Sequence, residues 1–309
     1  MPPAYRGRFA PSPTGPLHFG SLVAAVGSYL EARTHGGAWL VRIEDLDPPR
    51  VAPGSADEIL RTLEACGMEW EGTVVHQSGR ADAYHYALHA LRQHGNLYAC
   101  ACSRREIADS GVAGVEGYVY PGTCREGVPA GRTARAWRVL ARDATVAFDD
   151  AVQGRIEQDV GQTIGDFVLY RSDRVYAYQL AVVVDDAEQG ITHVVRGADL
   201  LDSTARQIYL QRLLGLATPR YAHLPVAVNA RGEKLSKQTR ARAIDRANAR
   251  PAIVEALRFL GHEVPEFEAS SVKAIWDWAL RNWNLGRVPR TLRIDAASPC
   301  RCVPAHPTF

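Results

Sequence analysis

Apolar residues return at two periods along this chain, and the switches between those periods lay out its architecture. Arg6 to Ala10 reads as a short strand, closed by the Pro/Gly/Ser loop Pro11 to Pro16. From Ser21, the residues Leu22, Val23, Val26, Tyr29 and Leu30 recur at helical spacing. Trp39-Leu40-Val41-Arg42-Ile43 is a strand apolar enough to be buried, ending in Glu44-Asp45-Leu46-Asp47 and the stop Pro48-Pro49. Asp57 to Cys66 predicts a helix with Ile59, Leu60 and Leu63 on one face. This alternation of strand and helix predicts a parallel sheet with crossover helices.

The pattern breaks near residue 75 and is restored near 195, so the stretch between reads as an insertion into the first domain. A helix over Asp82 to His94 leads into a cysteine-bearing segment and a glycine-rich stretch, Gly111 to Gly131. Strand-like runs follow at Asp166 to Leu169, Ala177 to Val184 and His193 to Arg196. Leu224-Pro225-Val226-Ala227-Val228 resumes the strand pattern. Beyond Arg240 the helical period dominates, through Ile253, Ala256, Leu257 and Leu260, then Val272, Ile275, Trp276, Ala279 and Leu280. The tail from Ser298 is expected to be irregular.

Composition narrows the class. Hydrophobic content of 46% and charged content of 23% are those of an ordinary globular protein. No apolar run approaches the ~20 residues of a membrane helix. Met1 to Phe9 lacks the apolar core of a signal peptide, so the cytoplasm is the expected compartment. A net charge of +2 says little about partners, because a local basic patch suffices for phosphates. The make-up of the positive charge says more. Arginine accounts for 33 basic residues and lysine for 3, of which two fall within Glu233-Lys234-Leu235-Ser236-Lys237. A lysine kept where arginine fills nearly every other cationic position implies a need for a compact ammonium.

Two segments carry candidate chemistry. His18-Phe19-Gly20-Ser21 sits between a predicted strand and a predicted helix, where free N–H groups suit phosphate oxygens. Gly20 would let a base or ribose lie against the backbone, and His18 could hydrogen-bond phosphate. Lys234-Leu235-Ser236-Lys237 follows a strand and a turn; lysines on such a loop can close over a triphosphate. Alone, the first is a common strand–turn–helix and the second a solvated basic loop. Together they resemble the HIGH and KMSKS motifs of class I aminoacyl-tRNA synthetases. Arg8-Phe9-Ala10-Pro11-Ser12-Pro13-Thr14-Gly15 and Arg42-Ile43-Glu44-Asp45-Leu46-Asp47 resemble the glutamyl branch of that class. Ala177-Tyr178-Gln179-Leu180, Val184-Asp185-Asp186 and Val195-Arg196-Gly197-Ala198-Asp199 continue the series in the same order.

The physical reading of those residues agrees. Glutamate carries two carboxylates and an ammonium, so its pocket needs cations and an anion. Arg8 and Arg196 can each grip a carboxylate bidentately, Glu44 can pair with the ammonium, and Tyr178 supplies a hydroxyl and a ring wall. Ser12 and the backbone near Ala10 would complete recognition. Only 72 residues follow Lys237, short of the helical anticodon domains of glutamyl-tRNA synthetases. The short form, Glu44-Asp45-Leu46-Asp47-Pro48-Pro49-Arg50, Val182 and the cysteine-bearing insertion resemble the glutamyl-Q tRNA(Asp) synthetases.

That resemblance implies the remaining expectations. The fold is α/β, a Rossmann-like class I synthetase core: its first half over 1–75, an insertion over 76–195, its second half with the lysine loop over 196–245, and a helical C-terminal module over 246–309. ATP with Mg²⁺ and L-glutamate are the substrates of the first step. His18, Gly20, Ser21 and Lys237 would hold ATP, with His18, Gly20, Lys234 and Lys237 in the catalytic apparatus. Glutamate would then pass to queuosine in the anticodon of tRNA(Asp). A monomer is expected. The rivals are a core-only glutamyl-tRNA synthetase charging the 3′ end of tRNA(Glu), and a non-catalytic tRNA-binding paralogue. The latter would be expected to have lost Lys237 or the arginine pair.

Cysteines complete the picture. Cys100, Cys102 and Cys124 supply three corners of a tetrahedral zinc site. The resemblance implies Tyr120 as the fourth ligand, with Tyr118 the alternative. Cys66 reads as a lone packed residue, and Cys300 and Cys302 as an unliganded pair in the tail.

Overall fold

Strand β1 (Arg6–Phe9), helix α1 (Phe19–Thr34), strand β2 (Ala38–Ile43), helix α2 (Ser55–Ala65) and strand β3 (Val75–His76) open the chain in the alternation that the sequence predicts. The structure, a computed structural model, describes residues 4–115, 117–142, 144–235, 243–266 and 270–296. The three strands are parallel, with Gly7 opposite Trp39 and Arg42 opposite Val75. Next come α3 (Ala81–Gln93), β4 (Leu97–Cys100), α4 (Arg104–Ser110) and a short hairpin of β5 (Ala113–Gly114) and β6 (Gly117–Tyr118). Strands β7 (Ala136–Val139), β8 (Thr145–Asp150) and β9 (Gly154–Asp159), helix α5 (Val160–Thr163) and strand β10 (Val168–Tyr170) follow. Helix α6 (Tyr178–Glu188) feeds β11 (His193–Gly197), and α7 (Leu201–Leu214) feeds β12 (Arg220–Leu224) and β13 (Val226–Val228). Helices α8 (Arg250–Phe259) and α9 (Val272–Asn282) and strand β14 (Arg293–Asp295) close the fold.

Strand order decides where a ligand can sit. The Thr192 N–H donates to the Arg6 carbonyl at 2.9 Å, setting β11 alongside the edge of β1 that faces away from β2. β11 pairs in parallel with β12, and β12 with β8. The order is therefore β3, β2, β1, β11, β12: the chain winds outward from β1, then restarts at β11 and winds the other way. At such a reversal the loops beyond the two strands part in opposite directions and open a crevice.

Two segments depart from the sequence reading. Ala177 to Val184 reads as a strand but forms α6 from Tyr178 onward. Its Leu180, Ala181, Val182, Val183 and Val184 are all buried, so no polar face shows the helical period and the β-branched run imitates a strand. The Leu224 to Val228 strand is split at Pro225 into β12 and β13.

Two hydrophobic clusters hold these layers. One joins Leu22, Leu30, Trp39 and Leu63 to Ile253, Leu257, Ile275 and Trp276 of α8 and α9. Polar ties reinforce it: Trp276 Nε1–H donates to the Cys66 carbonyl at 2.7 Å, and Trp283 Nε1–H to Glu31 Oε2 at 2.6 Å. The other packs α3, α6 and α7 around Leu91, Val146, Leu169, Leu180 and Ile208. No helix among the described residues is long and apolar enough to cross a membrane.

Candidate active site

The carboxyl ends of β1 and β11 open onto a cavity of about 880 Å³. Arg8, Ala10, Ser12, His18, Gly20, Ser21, Glu44, Tyr178, Arg196 and Lys234 all line it. Residues up to 226 positions apart in the chain are thus brought to one wall-to-wall space by the strand reversal. Lys237 lies outside the described residues.

One wall is a buried charge ladder. Arg8 donates from Nε and Nη2 to the two carboxylate oxygens of Asp186, at 3.2 and 3.3 Å. Arg42, wholly buried, reaches the same carboxylate from its Nη2 at 2.7 Å. Burial opposes ionisation of Asp186, but the charges of Arg8 and Arg42 hold its carboxyl below the usual carboxylate range. Asp185 extends the ladder, accepting from Gln77 at 2.7 Å, the Tyr84 hydroxyl at 2.9 Å and Arg80 Nε at 2.5 Å. Glu44 is the unfinished rung. Its Oε1 is buried without a hydrogen bond, and the nearest cation, Arg42 Nη2, stands 3.6 Å away. Burial pushes the Glu44 carboxyl up to about 7, against the pull of Arg42 and Arg8. A ligand ammonium beside it would hold it ionised.

The opposite wall carries Arg196, only 5% exposed. Its Nε–H donates to His223 Nε2 at 3.0 Å, and Nη2 donates to Thr204 Oγ1 at 2.8 Å and to the Leu200 carbonyl at 3.3 Å. Nη1 stands 3.5 Å from the Tyr178 hydroxyl. Arg196 therefore offers the cavity Nη1, where the sequence reading has a two-nitrogen clamp. Among the described residues no carboxylate lies within ion-pair distance of it. Arg8 has its counter-ion in Asp186; among the described residues Arg196 has none.

The third wall is the start of α1. His18 caps it, with Nδ1 accepting the Ser21 N–H at 3.3 Å, and no acidic residue stands in the first turn. This leaves the helix end electropositive. Lys234 reaches Asp199 at 2.5 Å across the mouth of the cavity. A Cβ on Gly20 would meet the Leu235 carbonyl at 3.4 Å, so the backbone after Lys234 passes directly over the HIGH-like turn. A buried arginine, a buried carboxylate and an electropositive helix end share one space.

Comparisons with known proteins give the family and the fold. The model for class I tRNA synthetases (E and Q), catalytic domain, matches residues 4–270. The glutamyl-Q tRNA(Asp) synthetase of Dechloromonas aromatica is 62% identical over 93% of this chain and 96% of its own length. That of Chromobacterium violaceum is 58% identical over 92% and 95%. The chain belongs to the glutamyl-Q tRNA(Asp) synthetases. It is thus a ligase with a class I catalytic domain. A glutamate tRNA ligase from Elizabethkingia meningosepticum, solved in complex with its amino acid, superposes with a TM-score of 0.76 at 25% identity. The match covers 94% of this chain and 66% of that ligase, so the chain spans about two thirds of the ligase's length. A methionyl-tRNA synthetase from Mycobacterium tuberculosis shares the fold, with a TM-score of 0.52 at 15% identity.

This synthetase has a second constellation away from the cavity. The sulfur atoms of Cys100, Cys102 and Cys124 lie within 4.8 Å of one another. The Tyr120 hydroxyl is 3.5 Å from two of them and accepts the Cys124 N–H at 2.9 Å. Tyr118 is 56% exposed on β6, whereas Tyr120 is buried. Cys66 is buried in the first core, and Cys300 and Cys302 lie outside the described residues.

Sequence reasoning missed the partners behind the grips. Asp186 and Arg42 stand inside segments that the resemblance quotes, and two ionisable residues in otherwise apolar runs are the signal that could have found them. His223, within Tyr221-Ala222-His223-Leu224, carried the same signal, whereas Asp150 carried none.

Proposed function

We propose that this cavity joins ATP and L-glutamate into glutamyl-adenylate without tRNA, and passes the glutamyl group to queuosine in the anticodon of tRNA(Asp). The observation that carries the reading is a pair of unfilled positions: among the described residues Arg196 has no counter-ion, and Glu44 Oε1, 3.6 Å from Arg42 Nη2, makes no hydrogen bond. A zwitterion with a second carboxylate supplies what both lack. Arg8 and Arg196 take the two carboxylates, Glu44 the ammonium, and Tyr178, Ser12 and the Ala10 backbone fill the remaining wall.

In the first step an oxygen of the glutamate α-carboxylate bonds to the α-phosphorus of ATP, and the bond from that phosphorus to the β-phosphate oxygen breaks. Mg²⁺ accompanying ATP supplies charge neutralisation at the phosphates. His18, the Gly20 and Ser21 backbone at the α1 terminus, Lys234 and Lys237 meet the charge that gathers on the departing pyrophosphate. In the second step a hydroxyl oxygen of the acceptor bonds to the activated carbonyl, AMP leaves, and the hydroxyl proton departs to AMP or solvent. An anticodon loop suits such a cavity because its bases can be splayed out and held singly. Arginines of the 76–195 stretch and between 240 and 250 grip its phosphates, so transfer weakens steeply with salt. We propose that the chain acts as a monomer. Activation is tested by ATP–pyrophosphate exchange with no tRNA present: glutamate supports it and aspartate or glutamine does not, whereas exchange that requires tRNA contradicts the reading.

The cysteine cluster fits a structural zinc. Three thiols within bonding reach of one centre, with a phenol oxygen turned toward two of them, match a closed four-ligand set. Cys100, Cys102, Cys124 and Tyr120 would hold the ion, which supplies a cross-link between β4 and the loop after β6. Untagged protein should contain close to one equivalent of zinc by elemental analysis. Tyr120→Phe should lower that content and Tyr118→Phe should not; zinc far below one equivalent and unchanged by chelation would remove the site from the account.

A further inference from the structure

We propose that His223, held by Asp150, is a positioning residue that fixes the Arg196 guanidinium for its grip on glutamate. The inference rests on the reading of the cavity as a glutamate site. Neither residue lines the cavity, and His223 is completely buried. They form a row across three neighbouring strands. Arg196 on β11 sits directly opposite His223 on β12, and Asp150 ends β8 on the far side of β12.

The direction of every hydrogen bond in this row is forced. Arginine Nε can only donate, so His223 Nε2 accepts. The imidazole proton then resides on Nδ1 and is donated to Asp150 Oδ2 at 2.6 Å. Asp150 is itself pinned, because its Oδ1 accepts the N–H groups of Val152, Gln153 and His223 at 3.0, 2.8 and 3.1 Å. Burial drives His223 toward its neutral form, down to about 4, although the Asp150 bond opposes this. Neutrality is what the row needs, since a proton on Nε2 would confront the Arg196 Nε–H.

The chemistry explains why an imidazole stands there. A carboxylate at 223 would orient Arg196 equally well but would neutralise it, as Asp186 does Arg8. A neutral imidazole fixes the guanidinium plane and leaves its charge for the ligand, with the negative charge of Asp150 one ring further away. Nε and Nη2 are anchored, and Nη1 is left at Tyr178 and the cavity.

Two amide substitutions separate positioning from packing. Gln places its side-chain oxygen near the position of imidazole Nε2 and can accept from Arg196. Asn places its NH2 near Nδ1, keeps the Asp150 bond and leaves the Arg196 Nε–H unmet. His223→Asn should raise the KM for glutamate in ATP–pyrophosphate exchange by ~10-fold or more, on the scale of one lost hydrogen bond to a charged group. Its kcat and KM for ATP should change far less. His223→Gln should recover most of the glutamate KM. Equal glutamate KM values in the two variants, both normal or both raised, overturn the inference, as does a rise in both that merely follows a fall in melting temperature. If Arg196→Ala itself leaves the glutamate KM unchanged, the glutamate reading has failed instead.

Discussion

Replacing Arg196 by alanine raises the KM for glutamate in ATP–pyrophosphate exchange by about a hundredfold or more, and leaves the KM for ATP within a few-fold. The size follows from burial. Truncating one partner of a desolvated charge pair costs ~2–5 kcal/mol, because the remaining charge is left without its partner. Here the stranded group is a ligand carboxylate, and the other buried arginine of the cavity, Arg8, already shares its charge with Asp186. Lysine does not restore the grip. A single ammonium cannot bond His223, Thr204 and the Leu200 carbonyl while still facing the cavity. The melting temperature of the variant and its KM for ATP separate lost binding from lost folding. A rise below threefold in the glutamate KM, with folding intact, contradicts the role given to Arg196.

Lys237→Ala has the opposite signature: a fall of ~10²–10³ in kcat with little change in glutamate affinity, on the scale of one lost charge-stabilising donor. Charge on the β-phosphate oxygens grows only as pyrophosphate departs, so a lysine meeting it stabilises the transition state beyond the ground state. Lys237 lies outside the described residues, but the chain on either side of it is anchored to the α1 terminus. Leu235 donates its N–H to the Ala227 carbonyl at 2.8 Å and crosses over Gly20, and Ile244 donates to the Leu17 carbonyl at 3.0 Å. Leu235 and Ile244 thus both stand beside His18 to Gly20, where the proposed reading puts the triphosphate. A variant with kcat within threefold of the parent returns Lys237 to the solvated surface charges.

The first sheet was legible because two periods and hard stops coincide there: alternating strand and helix, then Pro11 to Pro16 and Pro48-Pro49. α6 was not, because burial on all sides erases periodicity and leaves the β-branched run Val182-Val183-Val184 to be read by propensity alone. The cavity was legible for a different reason. Arg8, Glu44, Tyr178 and Arg196 stand in ordered segments whose resemblance to a family gives them a shared purpose, which no single segment could supply. What stands behind them was not legible. Arg8 on β1 meets Asp186 on α6 across 178 positions, and His223 meets Asp150 across 73 through the strand order β8, β12, β11. The mode of grip escaped the sequence as well. That Arg196 spends Nε on His223 depends on a parallel register, and that it spends Nη2 on Thr204 and Leu200 depends on the turn into α7.

The account stands or falls on its acceptor, and one labelling experiment reaches it. The enzyme is given radiolabelled glutamate and ATP with tRNA(Asp) from cells that make queuosine, tRNA(Asp) from cells that do not, and tRNA(Glu). The account predicts label on the queuosine-containing tRNA(Asp) alone, located in the anticodon loop and reduced as salt is raised. Equal label on both tRNA(Asp) pools, or label at the 3′ end of tRNA(Glu), contradicts it.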